Sequence, residues 1–344
     1  MDAHKATHTC VAIDDLGRIL GDKTFPATTD GHLAALHWAR KTFGAKLTWA
    51  VEDVRTVTRR LEYDLFSAGQ RVVRVPSKLT ARIRASARTY GKSDTIDAAA
   101  IARAALREPN LPVAEHDPVT RNFRLLTDRR EALIQQRTAV ANRALMRLHE
   151  LDPQRVATAV SLNYAAHRDP LVEWLDAQPG LVAEFAHAEV VEIGGLTEQI
   201  KDLKKRITNG VRCYAPHLLD LDGCGFLVAA KIVGETGNVT RFTSEAAFAR
   251  YIGVAPLEYS SGSTAGRVRV ARTGNRSLNA ALHRIALIQI RQGGPGRAYY
   301  EERKRRGDNP MGALRHLKRR LVRVVFNRLL ADHKIRAQHI AAAP

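Results

Sequence analysis

Apolar and polar positions follow two different rhythms along this chain. In the first hundred or so residues, short apolar runs alternate with longer mixed ones. THTCVAID (7–14) reads as a strand, Asp15-Leu16-Gly17 as a turn, and RILGDKTFPA (18–27) as a second strand, which together make a hairpin. Residues 30–44 carry helical spacing, with Asp30 as cap and Gly44 as stop. LTWAVED (47–53) is a short apolar strand ending in two acids. Residues 55–68 form a helix that stops at Gly69, and RVVRVPS (71–77) is a further strand broken at Pro76. A basic stretch, KLTARIRASARTYGK, leads into an alanine-rich helix from Asp94. Strands alternating with helices predict a layered α/β domain.

After Pro112 the period changes. Leu126, Leu133, Ile134, Val140, Leu145, Met146 and Leu148 recur at close to helical spacing over residues 119–150, and residues 181–208 repeat the style. Two such long helices predict an antiparallel hairpin or coiled coil. Between them, Pro153, Pro170 and Pro179 mark a less regular stretch. LDGCGFLVAAKIVGETG (221–237) then has the form of a helix-hairpin-helix-like element. Its glycines permit a tight turn that presents backbone N–H groups to a phosphate; the bland alternative is a glycine-containing connection in a small bundle. The expected class is α/β plus α, divided as 1–112, a helical region 113–212, and a mostly helical 213–344.

Charge adds to this picture because it is uneven. The chain holds 54 Lys and Arg against 35 Asp and Glu, a net of +19. Residues 261–344 carry 19 of those cations and only 4 of the acids. A folded, apolar-patterned segment this basic expects a polyanion, with nucleic acid favoured over a membrane surface. The implicated groups are Gly223, Gly225, Lys231, Arg267, Arg269, Arg272, Arg276, Lys318, Arg319 and Arg320. No run approaches a membrane span, and MDAHKATH contains no apolar signal core. Cys10, Cys213 and Cys224 lack C-x-x-C spacing, which fits a reducing bacterial cytoplasm, nucleoid-associated if the polyanion is DNA.

The chemistry centres on GKSDTIDAAAIARA. Asp94 and Asp97 lie three apart and share a helical face. Ser93 or Asp94 could simply cap that helix. The sharper reading is two acids converging on a divalent cation. A phosphate loop is excluded because Ser86 stands where its first glycine would be. Glu52 and Asp53 end a predicted strand, and Asp2 and Asp14 flank the first one. Acids from two strands and one helix would suit a Mg²⁺-dependent phosphodiester site. Ser260, Ser261 and Ser263 lie in YSSGS, a loop that is either a turn or the seat of a nucleophile; there is no G-x-S-x-G elbow. His4, His8, His32 and His37 are scattered and predict surface or packing roles rather than a ligand set.

These pieces, in order, resemble one family. DAHKATHTCVAIDDLGRILG, VED (51–53), GKSDTIDAAAIARA, LDGCGFLVAAKIVGETG, IGVAP, YSSG, RTGNRSLNAALH and RAYYEERKRRG are similar to successive blocks of the bridge-RNA-guided insertion-sequence transposases, often written IS one-ten. The resemblance spans nearly the whole chain. It implies a RuvC-like (RNase H-like) catalytic domain over 1–112, a coiled-coil middle, and a serine-containing transposase domain over 213–344. It implies Asp2, Glu52, Asp94 and Asp97 as Mg²⁺ ligands and Ser261, with Ser260 as the alternative, as nucleophile. It further implies RNA-guided DNA recombination through a covalent phosphoserine. The implied partners are donor and target DNA, a structured noncoding guide RNA and other copies of the chain, as dimer or tetramer, with acids and serine meeting across protomers.

The departure is at the start. The family places apolar residues before its first acid, whereas here Met1 directly precedes Asp2. Either the true start lies upstream or the first strand is shortened, and a missing half-strand would leave Asp2 on a fraying end and weaken metal binding. Asp14, about 12 residues or ~40 Å of extended chain away, is too far to replace it. Two other readings remain: a metal-dependent nuclease or junction resolvase without serine chemistry, and an inactive relative that only binds nucleic acid.

Overall fold

The computed structural model describes residues 1–53, 55–85, 93–108, 111, 113–114, 117–258, 268–270 and 274–341, leaving aside the side chains of 55–56, 84–85, 257–258, 268–270 and 339–341. The chain divides into two compact units, Met1–His116 and Asp117–Pro344.

The first unit is α/β. Strand β1 (Asp2–Ala3) pairs antiparallel with β2 (Thr7–Ile13), and β2 with β3 (Ile19–Pro26), in the register Thr9↔Thr24. Helix α1 (Thr29–Phe43) leads to β4 (Thr48–Glu52), and α2 (Arg55–Ser67) crosses over to β5 (Arg71–Val75). β4 and β5 run parallel, as a helical crossover requires. Helices α3 (Ser77–Ala85) and α4 (Asp94–Arg107) complete the unit. The Met1 ammonium donates to the Ala50 carbonyl at 2.8 Å, which sets β1 beside β4. The core lies between sheet and helices, with Val51, Leu61, Leu65 and Val75 at 0–1 % exposure. Buried Glu62 receives a two-pronged bond from Arg74 (Nε–Oε1 3.0 Å, Nη2–Oε2 2.5 Å), so its charge is compensated where water cannot reach it.

One local expectation needs correction, and one stretch left unassigned proves helical. Thr28, not Asp30, caps α1, accepting from the Gly31 N–H at 3.1 Å. Thr28 has the extended backbone a cap needs, whereas Asp30 is already helical in the first turn. The basic stretch after Pro76 is helical from Ser77, because Leu79 and Ile83 pack against the α4 side chains Ile101 and Ala104.

The second unit is almost wholly helical. Helices α5 (Pro118–Leu151) and α7 (Leu181–Tyr214) are 34 residues each and pack together as a hairpin. Asp117 caps α5 and Pro118 occupies its first turn. Leu133, Val140, Ala144 and Leu148 meet Ala186, Val190, Ile193 and Ile200 along the seam. Beside it, Arg143 (3.0 Å) and Arg147 (2.5 Å) converge on Glu189. The proline-marked stretch is more regular than expected, since α6 (Ala165–Asp176) runs straight through Pro170. Burying Leu171 and Leu175 on the hairpin outweighs the hydrogen bond that the proline forgoes.

The hairpin root merges with the remaining elements: α8 (Pro216–Leu219), α9 (Phe226–Thr236), α10 (Glu245–Ile252), β6 (Pro256–Glu258), β7 (Val268–Val270), α11 (Arg276–Gln292), α12 (Pro295–Arg305) and α13 (Pro310–Ala341). Phe123, Ile207 and Val211 of the hairpin share one core with Ile232, Phe248, Ile285 and Val322. The long helices and the C-terminal helices therefore form a single unit, whereas the sequence reading placed a boundary after residue 212.

Candidate active site

Asp2 owes its position to its neighbours on both sides. Thr9 opposes it across the β1–β2 ladder, and Met1 is buried and tied to β4. The residue is 8 % exposed and is paired in the ladder. Two ladder partners and the Ala50 carbonyl hold what a longer strand would otherwise hold.

Asp94 and Asp97 are placed by a capped helix start. Ser93 has extended geometry (φ −144°, ψ 154°) and its hydroxyl accepts from the Ile96 N–H at 3.3 Å. Of the two possible caps, Ser93 is the one used. Both lie in the first turn, where the helix dipole favours their charge. α4 packs against β1 and β4, and its Ala98 and Ala99 sit on Val11 of β2. The elements bearing Asp2, Glu52, Asp94 and Asp97 are thus mutual neighbours. Glu52 is half-buried at the carboxyl end of β4, and Asp97 is half-buried one turn beyond Asp94.

What the structure brings closest is a trio. His4 Nε2 lies 3.1 Å from Asp2 Oδ2 and 3.3 Å from Asp94 Oδ1. The ligand atoms of Asp2, His4 and Asp94 all fall within 4.8 Å of one another. Two carboxylates this close repel, and the imidazole nitrogen stands between them where a cation belongs. Sequence reasoning set His4 aside as scattered. Its signal was Asp2-x-His4, since residues two apart on extended chain face the same way. Asp14 does other work, accepting from the Leu16 and Arg18 N–H groups and from the Arg18 side chain in the β2–β3 turn. His8 and His32 are buried and stacked with centroids 5.1 Å apart, and His32 Nδ1 lies 2.6 Å from Asp64 Oδ2.

As a donor set, carboxylate oxygens on adjoining elements suit Mg²⁺, which takes few protein oxygens and retains water. An imidazole in the same cluster widens the choice to Mn²⁺. The geometry therefore fits a divalent ion.

Ser260, Ser261, Ser263, Arg267 and Arg272, like Gly91 and Lys92, lie outside the described residues; so does the side chain of Arg269 on β7. The serines fall in sequence between β6 and β7, whose ladder pairs Glu258 with Val268 and Pro256 with Val270. Below it, the Asn275 N–H donates to the Tyr251 carbonyl (2.8 Å) and its side chain to Glu235 (2.7 Å).

The predicted nucleic-acid contacts separate into groups. Gly223 has φ +83°, and a Cβ there would lie 3.0 Å from the Ile285 carbonyl, so the turn packs on α11. Gly225 caps α9 with open space around it and no side-chain bond to the helix start. Lys231 donates to Asp128 (2.9 Å) and Glu131 (3.1 Å) on α5. Half-buried Lys318 bonds Asn279, and burial and then Arg315 push its pKa down. Arg319 pairs with Glu245, and Arg320 lies over the Tyr299 ring at 4.8 Å. Arg276 is exposed at the start of α11.

Comparison with known proteins bears on all of this. Residues 1–153 match the family model DEDD_Tnp_IS110, described as "Transposase", and residues 215–301 match "Transposase IS116/IS110/IS902 family". The chain belongs to the IS110/IS116 family of insertion-element transposases. It is similar to the 42 kDa protein of insertion element IS900 from Mycobacterium paratuberculosis, at 27 % identity over 97 % of this chain and 96 % of that one. The 44.8 kDa protein of IS116 from Streptomyces clavuligerus is 25 % identical over 97 % and 94 %. The 43.6 kDa protein of IS110 from Streptomyces coelicolor is 28 % identical over 46 % of this chain and 41 % of its own. A transposase acts on DNA by phosphoryl transfer, and the Asp2–His4–Asp94 cluster of this transposase lies in its first matched segment. No helix among the described residues is long and apolar enough to cross a membrane.

Proposed function

We propose that this transposase is an RNA-guided DNA recombinase that joins a carboxylate metal site to a serine nucleophile. The observation carrying the reading is the convergence of Asp2 and Asp94, 92 positions apart, on one point between β1 and α4. The order of β1, β4 and α4 around that point supports a RuvC-like first unit. Asp2, Glu52, Asp94 and Asp97 would hold Mg²⁺, which when bound lowers the charge on the scissile phosphate and stabilises the departing oxygen.

The chain's own groups do the rest. Ser261 Oγ, with Ser260 as the alternative, attacks phosphorus. The Oγ–P bond forms and the bond to one deoxyribose oxygen breaks. That oxygen leaves with the electron pair and takes up a proton, while the hydroxyl proton of the serine passes to solvent or a nearby carboxylate. Attack of a free deoxyribose hydroxyl on the phosphoserine reverses these changes and rejoins the strand to a new partner. The guide is a structured noncoding RNA pairing with donor and target DNA, a reading supported by the ordered resemblance of the sequence blocks. Basic groups of the second unit hold the nucleic acid, the glycine turn before α9 acts as a helix-hairpin-helix-like backbone contact, and two or four copies assemble on the DNA.

Adduct trapping tests the proposal. The protein, its RNA, a DNA substrate and Mg²⁺ are mixed and denatured, and DNA bound covalently to protein is sought. A Mg²⁺-dependent adduct is expected in the wild type, lost in Ser261→Ala or in Ser260→Ala. Cleavage that survives both serine variants but not Asp94→Ala would instead assign a plain nuclease. Binding without any product would assign a carrier of nucleic acid.

A further inference from the structure

Within the second unit, α5, α9 and α11 enclose a cleft of about 460 Å³. Its walls include Arg130 and Glu131 from α5, Lys231 from α9, and Arg276, Ser277 and Arg284 from α11. Lys231 is bonded to Asp128 at 2.9 Å and Glu131 at 3.1 Å, so it adds no free cation to the cleft. The three arginines have no acid within ion-pair distance among the described residues, although ion pairs are common elsewhere in this unit. Arg130 is the most telling of them. Its Nε is buried and makes no hydrogen bond. Desolvation comes first in pushing its pKa down, followed by Arg137; Glu131 opposes them, and Arg284 adds a smaller downward push. Like charges gathered around a half-buried guanidinium are unfavourable for the empty protein, and an unpaired donor there costs more. An anion in the cleft would reverse both penalties. The first turn of α11, which supplies Arg276 and Ser277, adds its dipole on the same wall.

We infer that the cleft lined by Arg130, Arg276 and Arg284 seats the phosphodiester backbone of a nucleic-acid strand bound by this transposase. The inference rests on the nucleic-acid reading above and deepens it by naming where one strand is held. Guanidinium forks match phosphate oxygens in pairs, which explains three arginines where lysine would give charge alone. Contact of this kind is blind to sequence and positions the strand rather than reading it.

The test uses the full-length protein and fluorescently labelled single-stranded DNA, duplex DNA and structured RNA. Anisotropy titrations from 50 to 400 mM salt give the slope of log K against log salt. Each lost phosphate contact makes the slope shallower by about 0.7 for a single strand or 0.9 for a duplex. R130Q/R276Q/R284Q is expected to flatten it by roughly 2 to 3 on the strand the cleft holds, and R276Q/R284Q, both exposed, by roughly 1.5 to 2. The probe on which the change appears identifies that strand as DNA or RNA. R130Q without nucleic acid is expected to melt at the wild-type temperature or higher, since repulsion is relieved. A lower melting temperature for R130Q would make it a structural arginine and overturn the inference. Unchanged slopes on every probe would also overturn it, while leaving nucleic-acid binding intact. A wild-type protein that binds none of the probes would sink the functional reading itself.

Discussion

Asp2 and Asp94 face each other across His4, so removing one of the two charges relieves like-charge contact, and the proposed metal ion would lose a ligand. Asp94→Asn is therefore expected to leave the metal-free melting temperature unchanged or slightly raised. The Asp94 side chain is 57 % exposed, so little packing is at stake. Under the proposed Mg²⁺ site, MgCl₂ is expected to raise the melting temperature of the wild type but not of this variant, and strand cleavage is expected to fall by about 100-fold or more, the scale of several kcal/mol of lost charge stabilisation. Thermal melts with and without MgCl₂, beside a cleavage assay, check both halves. A second residue-scale prediction concerns His8. Burial first, and His32 next, lower its pKa from 6.5 to about 4 in the folded protein. The unfolded chain thus binds more protons between those values, so stability rises with pH through the window. The contribution of neutral His8 is complete above pH 6.5 and is lost as pH falls towards 4, on the order of 3 kcal/mol for this shift. Urea unfolding at pH 7 and pH 4.5 should show that loss in the wild type and a flatter profile in His8→Phe. Which histidine matters was not legible in the sequence. His4 and His8 lie four apart with similar neighbours, yet one reaches two carboxylates at the surface and the other is stacked inside.

At the scale of elements, periodicity was a good guide wherever an element was long or bounded by a cap. The apolar stripe of residues 119–150 marks α5 almost to the residue, and Gly44 stops α1 as expected. The failures have a common cause. α3 and α6 carry weak local signals, basic in one and proline-broken in the other, and owe their helicity to Leu79 and Ile83, or Leu171 and Leu175, finding apolar partners far away in sequence. Close approach between helices is equally silent. Gly234 of α9 is an unremarked glycine in VGETG, but a Cβ there would lie 2.7 Å from the Arg124 backbone nitrogen of α5. Gly234→Ala is expected to destabilise the second unit by about 1–3 kcal/mol, despite alanine's better helix propensity. Chemical denaturation compares it with Gly195→Ala in α7, where nothing lies within 4 Å of the new methyl and the change should be neutral or stabilising.

Taken whole, the molecule carries most of its net positive charge in the helical second unit. Residues 117–344 hold 36 Lys and Arg against 22 Asp and Glu, and residues 1–116 hold 18 against 13. Each unit has its own buried cores with no shared members. Expressed separately, Met1–His116 and Asp117–Pro344 should each unfold cooperatively. The second should retain most of the salt-dependent nucleic-acid affinity and the first should show the Mg²⁺-linked melting shift; an isolated second unit that binds nothing the intact chain binds would contradict this division. The sequence alone determined the class of each unit, the long hairpin, the basic second unit and the candidate acids, because helical period, capping residues and charge are local properties. Only tertiary structure decided that Met1 anchors Asp2 against β4, that His4 joins the acids, that Lys231 is neutralised from α5 and that the Arg130 Nε is left without a hydrogen bond. Those outcomes depend on which distant backbone or charge lies within about 4 Å, the range at which hydrogen bonds and ion pairs act.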